Sequence, residues 1–190
     1  MKLNEIKDIE GHINAFRNLM IDILRRRAVF RLFEKNLVGK ASKDAVLKNT
    51  FVSFYVIDYT RNQLIDLRKF FETDNLSYKL AFLLDYIGDI NLKKEHTRLF
   101  QEWKEKFQDS VNKIIAHLDK NTDDVAREVN KKDIDNLVDK INQLLDSIVD
   151  GLNKKGTVVL EKGLRDLNGN FLNKNQEEGF EEYLQWLCRS

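Results

Sequence analysis

The sequence predicts an all-α fold, an antiparallel bundle of about five helices followed by a short helical appendage, and three observations predict it. Apolar residues recur at spacings of three and four through most of the chain, as they do where helices bury one stripe. Proline is absent from the 190 residues and glycine occurs only 8 times, too little punctuation for the reversals of a sandwich or barrel. No period-two run is long enough to make a strand with an evident pairing partner. A hydrophobic share of 42% and a charged share of 33% then describe a chain that can bury a core and stay ordered in water.

Leu3, Ile6, Ile9, Ile13, Phe16, Met20, Ile23 and Leu24 form the stripe of a first helix reaching Leu37, broken by the run Val38-Gly39-Lys40-Ala41-Ser42. A second stripe, Val46, Leu47, Phe51, Phe54, Ile57, Leu64, Leu67 and Phe71, has Ser42 or Asp44 available as N-cap and stops at Thr73-Asp74-Asn75. Ser77 suits the N-cap of a short third helix through Leu80, Leu83, Leu84 and Ile87, ended near Gly88. Its apolar character predicts that it sits deepest in the core. The fourth helix, about 93–118, shows Phe100, Trp103, Phe107, Val111, Ile114 and Leu118. The fifth starts near Asp133, and its Ile134, Leu137, Val138, Ile141, Leu144, Leu145, Ile148 and Leu152 form the cleanest amphipathic pattern in the chain.

The texture changes at Asn153, where Gly156, Gly163, Gly169 and Gly179 interrupt the periodicity, so the bundle is assigned to 1–152 and an appendage to 153–190. A last helix at 180–187 carries Tyr183, Leu184, Trp186 and Leu187, either packed back on the bundle or offered to a partner. Thr157-Val158-Val159-Leu160, flanked closely by glycines, is expected to be helix or turn.

A net charge of +1 argues against a strongly basic nucleic-acid binder or an acidic tail protein, and leaves room for a local patch. The single cysteine, Cys188, excludes a disulfide framework and a cysteine-cluster zinc site, and a place beside the C terminus makes it a poor nucleophile. The first eight residues mix charge with apolar side chains, and no apolar run approaches the roughly 18 residues of a membrane span. A cytoplasmic protein with no membrane partner is expected. His12, His96 and His117 lack metal-ligand spacing, and serine elbows and phosphate-cradling glycine loops are missing, so neither metal nor cofactor is expected.

Two segments carry candidate chemistry. Arg25, Arg26, Arg27 and Arg31 either stud a solvated helix face or contact RNA phosphates through their planar guanidinium forks. Farther along, Asp109, Lys113 and His117 lie four apart and form one polar stripe, while Val111, Ile114, Ile115 and Leu118 form the buried one. His117 therefore falls near a helix C terminus, where the dipole favours the imidazolium and Asp119 can hydrogen-bond a ring nitrogen. Such a histidine either exchanges protons near neutral pH or simply caps the last carbonyls.

The stretch Asn112-Lys113-Ile114-Ile115-Ala116-His117-Leu118-Asp119 resembles the core of the HEPN motif, an arginine followed after four to six residues by histidine. Leu67-Arg68-Lys69-Phe70-Phe71-Glu72, followed by Asn75-Leu76-Ser77-Tyr78-Lys79-Leu80, is similar to the abortive-infection (AbiU-like) branch of that superfamily. The likeness spans 46–152. It implies a helical bundle that dimerises through its motif helices and works as a metal-independent endoribonuclease in a phage-defence or toxin–antitoxin system, with RNA and an antitoxin or other protein as partners. It also implies that His117 assists attack of the ribose 2′-hydroxyl, with Asn112 and Asp119 as the flanking polar residues.

Val111 stands where the motif has arginine and offers no charge to a developing phosphorane. Lys113, or Arg61 or Arg68 from another helix, would have to substitute, and lysine lacks the planar fork. Two readings follow: a ribonuclease using His117 with a relocated cation, or a catalytically silent HEPN-like module that binds a protein or nucleic-acid partner. A homodimer through the motif helices is expected because Trp103, Phe107 and Val111 extend an apolar stripe beyond the needs of a short bundle.

Overall fold

The computed structural model describes residues 3–38, 50–72, 79–116 and 129–156. All regular structure among them is α-helical, in five segments: α1 (Leu3–Val38), α2 (Thr50–Lys69), α3 (Leu80–Ile87), α4 (Ile90–Ala116) and α5 (Lys131–Lys154). This is the all-α bundle the periodicity predicts. The expected caps at Ser42, Asp44 and Ser77, the run at Thr157 and the helix at 180–187 lie outside the described residues.

Local chemistry sets the helix ends. α2 closes in a tight turn, with the Phe70 and Phe71 amides donating to the Leu67 and Arg68 carbonyls at 3.2 and 2.9 Å. α3 ends at Gly88, whose φ of 75° is left-handed and whose amide reaches the Leu84 carbonyl, a cap that a Cβ would strain. Asp89 starts the next helix, its carboxylate accepting from the Asn91 and Leu92 amides at 2.7 and 3.2 Å. That cap places the start of α4 ahead of the expected Lys93. α5 likewise begins ahead of Asp133, because the Asn130 side chain accepts from the Lys132 amide at 3.0 Å and fixes the N-cap there.

The core runs along α5, which packs against each of the other four helices, whereas α1 and α4 do not meet. Ten residues of α5 are buried, against three of α3. The short third helix is therefore not the deepest element. Its eight residues bury Leu80, Leu83 and Leu84 on one side and leave Phe82 and Asp85 outside. Into the common core α1 sends Ile9, Ile13, Phe16, Met20, Ile23 and Leu24, and α4 sends Leu99, Trp103, Phe107, Val111 and Ile114. Trp103, Phe107 and Val111 are thus buried in the core of one chain, with Trp103 against Phe71 and Phe100. Phe30, Phe33, Tyr55 and Tyr59 form a separate aromatic group between α1 and α2, with Phe30 and Tyr59 stacked 3.9 Å apart. Burial there pushes the Tyr59 hydroxyl up to about 12.

Ion pairs set the helix register. Along the antiparallel α1–α5 seam, Glu34 meets Lys131 at 3.5 Å, Arg31 meets Asp135 at 3.2 Å and Arg27 meets Asp139 at 2.6 Å. On α2, the buried Asp66 carboxylate accepts from Arg26 and, at 2.5 Å, from Lys69. Between α4 and α5, Glu102 holds Lys140 at 2.8 Å and Lys106 holds Asp133 at 2.9 Å. The Lys140 hydrogen bond keeps the Glu102 carboxyl below its ordinary range. No helix among the described residues is long and apolar enough to cross a membrane.

Asp66→Ala removes the carboxylate that links Arg26 and Lys69, and with the Arg26 side chain a third exposed it should destabilise the fold by about 1–2 kcal/mol. Arg25→Ala, which touches only Asp22 at 3.8 Å on an exposed surface, should change it by no more than about 0.5 kcal/mol. Urea unfolding of the two variants beside the parent checks the contrast.

Candidate functional site

α4 carries the motif-like segment toward its C-terminal end. At heptad-like spacing Phe107, Val111 and Ile114 enter the common core, and Val111 is 0% exposed. Asp109, Asn112 and Lys113 face solvent one residue to either side. Lys113 engages no ion pair among the described residues and stands one turn after Asp109, as the polar stripe requires. Ile115, expected on the buried side, is 40% exposed. His117 and Asp119 lie outside the described residues.

The candidate cations are dispersed. Arg26 and Arg27 bond Asp66 and Asp139, and Arg27 also donates to the Asp135 carbonyl at 3.4 Å. Arg25 is the exposed member of that run. Arg68 pairs with Glu72 at 3.2 Å at the end of α2, beside the N-terminal half of α4, because Phe71 packs on His96, Phe100 and Trp103. About 20 Å of helix separates Phe100 from Lys113, so the structure does not bring Arg68 to the motif end. Arg61, two turns earlier on α2, is half-buried and lies nearer that end.

Sequence reasoning missed the acids. Asp66, Asp135, Asp139 and Glu102 turn most of the apparent cationic face of α1 and α4 into cross-links between helices. The signal was present: Arg27 and Arg31 are four apart, as are Asp135 and Asp139, so two antiparallel helices match them rung for rung.

The other histidines have structural surroundings. His12 donates from Nδ1 to the Asp8 carbonyl at 2.7 Å and meets the Phe82 ring at a tilt. His96 donates from Nε2 to the Phe70 carbonyl at 3.4 Å and rests against Phe71. Burial pushes the His96 imidazole below its ordinary value, with that hydrogen bond opposing. Among the described residues no three His, Cys, Asp or Glu side chains gather as metal ligands.

Comparison with protein-family models, with curated proteins and with solved structures returns no match.

Val111→Arg forces a charge into the buried core and should cost more than about 3 kcal/mol, measured by urea unfolding. His96 gives a pH signature. Its folded value lies below the unfolded one of about 6.5, so its contribution is complete above that pH and is lost as pH falls through it toward the folded value. The unfolding midpoint should therefore drop between pH 7.5 and pH 5.5, and His96→Gln should flatten that drop relative to the parent.

Proposed function

We propose that the chain is a HEPN-like helical module that acts by binding a protein or nucleic-acid partner rather than by cutting RNA. The observation that supports this reading is the complete burial of Val111. The position that matches the motif arginine lies in the core of the bundle, where a valine offers no charge to a phosphate. Losing one preorganised donor of this kind lowers a rate by about a hundredfold to a thousandfold. Arg26, Arg27 and Arg31 do not replace it freely, because any phosphate would have to compete with Asp66, Asp139 and Asp135 for them.

One observation favours the second reading, a metal-independent endoribonuclease of a phage-defence or toxin–antitoxin type: Lys113 is exposed and without an ion pair among the described residues, on the polar stripe that includes His117 in the sequence. In that reading Lys113 neutralises the phosphate, His117 moves the proton, and a homodimer through the motif helices pairs two such sites in the cytoplasm. The binding reading leaves the working face either at the motif end of α4 or on the C-terminal helix expected at 180–187, whereas the nuclease reading needs the motif end.

Incubation of the purified protein with mixed RNA in excess EDTA separates them. Binding without chemistry predicts no 2′,3′-cyclic phosphate ends, with parent and His117→Ala indistinguishable. Cyclic ends that disappear in His117→Ala and diminish in Lys113→Ala would overturn the proposal and establish the nuclease.

A further inference from the structure

Four large apolar side chains are exposed among the described residues, and two of them, Phe82 at 39% and Ile90 at 67%, lie on α3 and at the first position of α4. They belong to one surface. Asp85, one turn after Phe82, bridges at 2.7 Å to Lys93, one turn after Ile90, which joins the outer sides of the two helices. Phe82 rests against His12, the two rings tilted with centroids 4.7 Å apart. Tyr86, four residues after Phe82, extends the same side of α3.

The end of α5 reaches this surface. Lys155 donates from Nζ to the Tyr86 carbonyl at 2.6 Å and lies 5.0 Å over the Tyr86 ring, and a Cβ on Gly151 would meet Ile87 at 3.0 Å. The described chain thus ends at Gly156, one residue past the Lys155 that meets Tyr86. The sequence of residues 157–190 holds a matching piece: Phe180, Tyr183, Leu184 and Leu187 recur at helical spacing, with Glu177, Glu178, Glu181 and Glu182 among them. Lys94, one turn after Ile90, and Lys154 are exposed and engage no ion pair among the described residues, so basic groups stand beside the apolar surface that this acidic amphipathic segment would meet.

We propose that residues 180–187 of the same chain dock on the surface formed by Phe82, Tyr86 and Ile90. The connection is long enough: even an unstructured chain from Gly156 to Phe180 spans about 27 Å on average. Tethering supplies an effective concentration on the order of millimolar, so a small contact suffices. A second copy of the protein is a poorer occupant, because three side chains fall far short of the roughly 800 Å² per partner of a stable interface. The docking does not depend on whether RNA is cut.

Cys188 adjoins Leu187 and is the only cysteine, which makes the contact measurable. Ile90→Cys is treated with a bismaleimide long enough to span an eight-residue helix, about 12 Å. Asn136→Cys, exposed and about 22 Å along α5 from Gly151, serves as comparison. Circular dichroism first confirms that both variants keep the parent helix content. Docking predicts rapid cross-linking within one chain for Ile90→Cys and slow cross-linking for Asn136→Cys. It also predicts that adding Phe82→Asp to Ile90→Cys slows the reaction by at least about tenfold. Equal rates at the two positions, no cross-link at Ile90→Cys, no effect of Phe82→Asp, or products joining two chains would each overturn the proposal, the last in favour of a second copy.

Discussion

α5 buries ten of its residues, and each of the other helices packs against it. Helices whose apolar stripes have no common surface are marginal in water by themselves, since propensity alone stabilises a short helix weakly. Here Ile134, Leu137, Ile141, Leu145 and Ile148, all 0% exposed, give four stripes one common floor. The eight-residue α3 is the clearest dependent: it has no side-chain N-cap, and its three buried leucines hold only because α1 and α5 lie beneath them. Val111 belongs to the same dependence. It lies in the same core at 0% exposure, so a valine there serves packing.

Apolar contact fixes which faces meet but leaves sliding along the axes poorly determined, because stripes of leucine and isoleucine accept several registers. The charged rungs remove that freedom. Glu34, Arg31 and Arg27 match Lys131, Asp135 and Asp139 in order along α1 and α5, and Glu102 and Lys106 match Lys140 and Asp133 along α4 and α5. A one-turn slip would leave Arg27, 8% exposed, without its carboxylate, and an unpaired guanidinium at that depth is costly. Guanidinium groups used this way are register devices first.

The helices were legible from spacing because burial on α5 imposes a three-and-four repeat on every element that touches it. Helix starts were less legible, since they depend on Asp89 and Asn130, single side chains that turn back onto the following amides. The depth of α3 was misjudged for a physical reason: hydrophobicity measures how much a helix gains by burial, and neighbours decide how much of it is covered. For the candidate site, the placement of Val111 on the apolar stripe was read correctly, as was the polar side bearing Asp109 and Lys113. Ile115 was not, because Phe107, Val111 and Ile115 drift about 40° per step in one direction, and the second step carries Ile115 off the stripe centred on Phe107 and Ile114. The role of Arg26, Arg27 and Arg31 was hidden because an ion pair between helices is a property of two segments, invisible when each is read alone.

The α1–α5 ion pairs join residues 104 and 112 apart in sequence, whereas those between α4 and α5 join residues 27 and 38 apart. During synthesis α1 leaves the ribosome first and finds α2 and α3 soon afterwards, but the side of α1 that meets α5 waits for about a hundred further residues. At ordinary elongation rates that wait lasts roughly 5–20 s. For this interval Arg27 and Arg31 lack Asp139 and Asp135, and they keep charge beside an apolar stripe that has no cover. The arginines that later lock the register thus first act as gatekeepers, protecting the nascent chain against association with its neighbours.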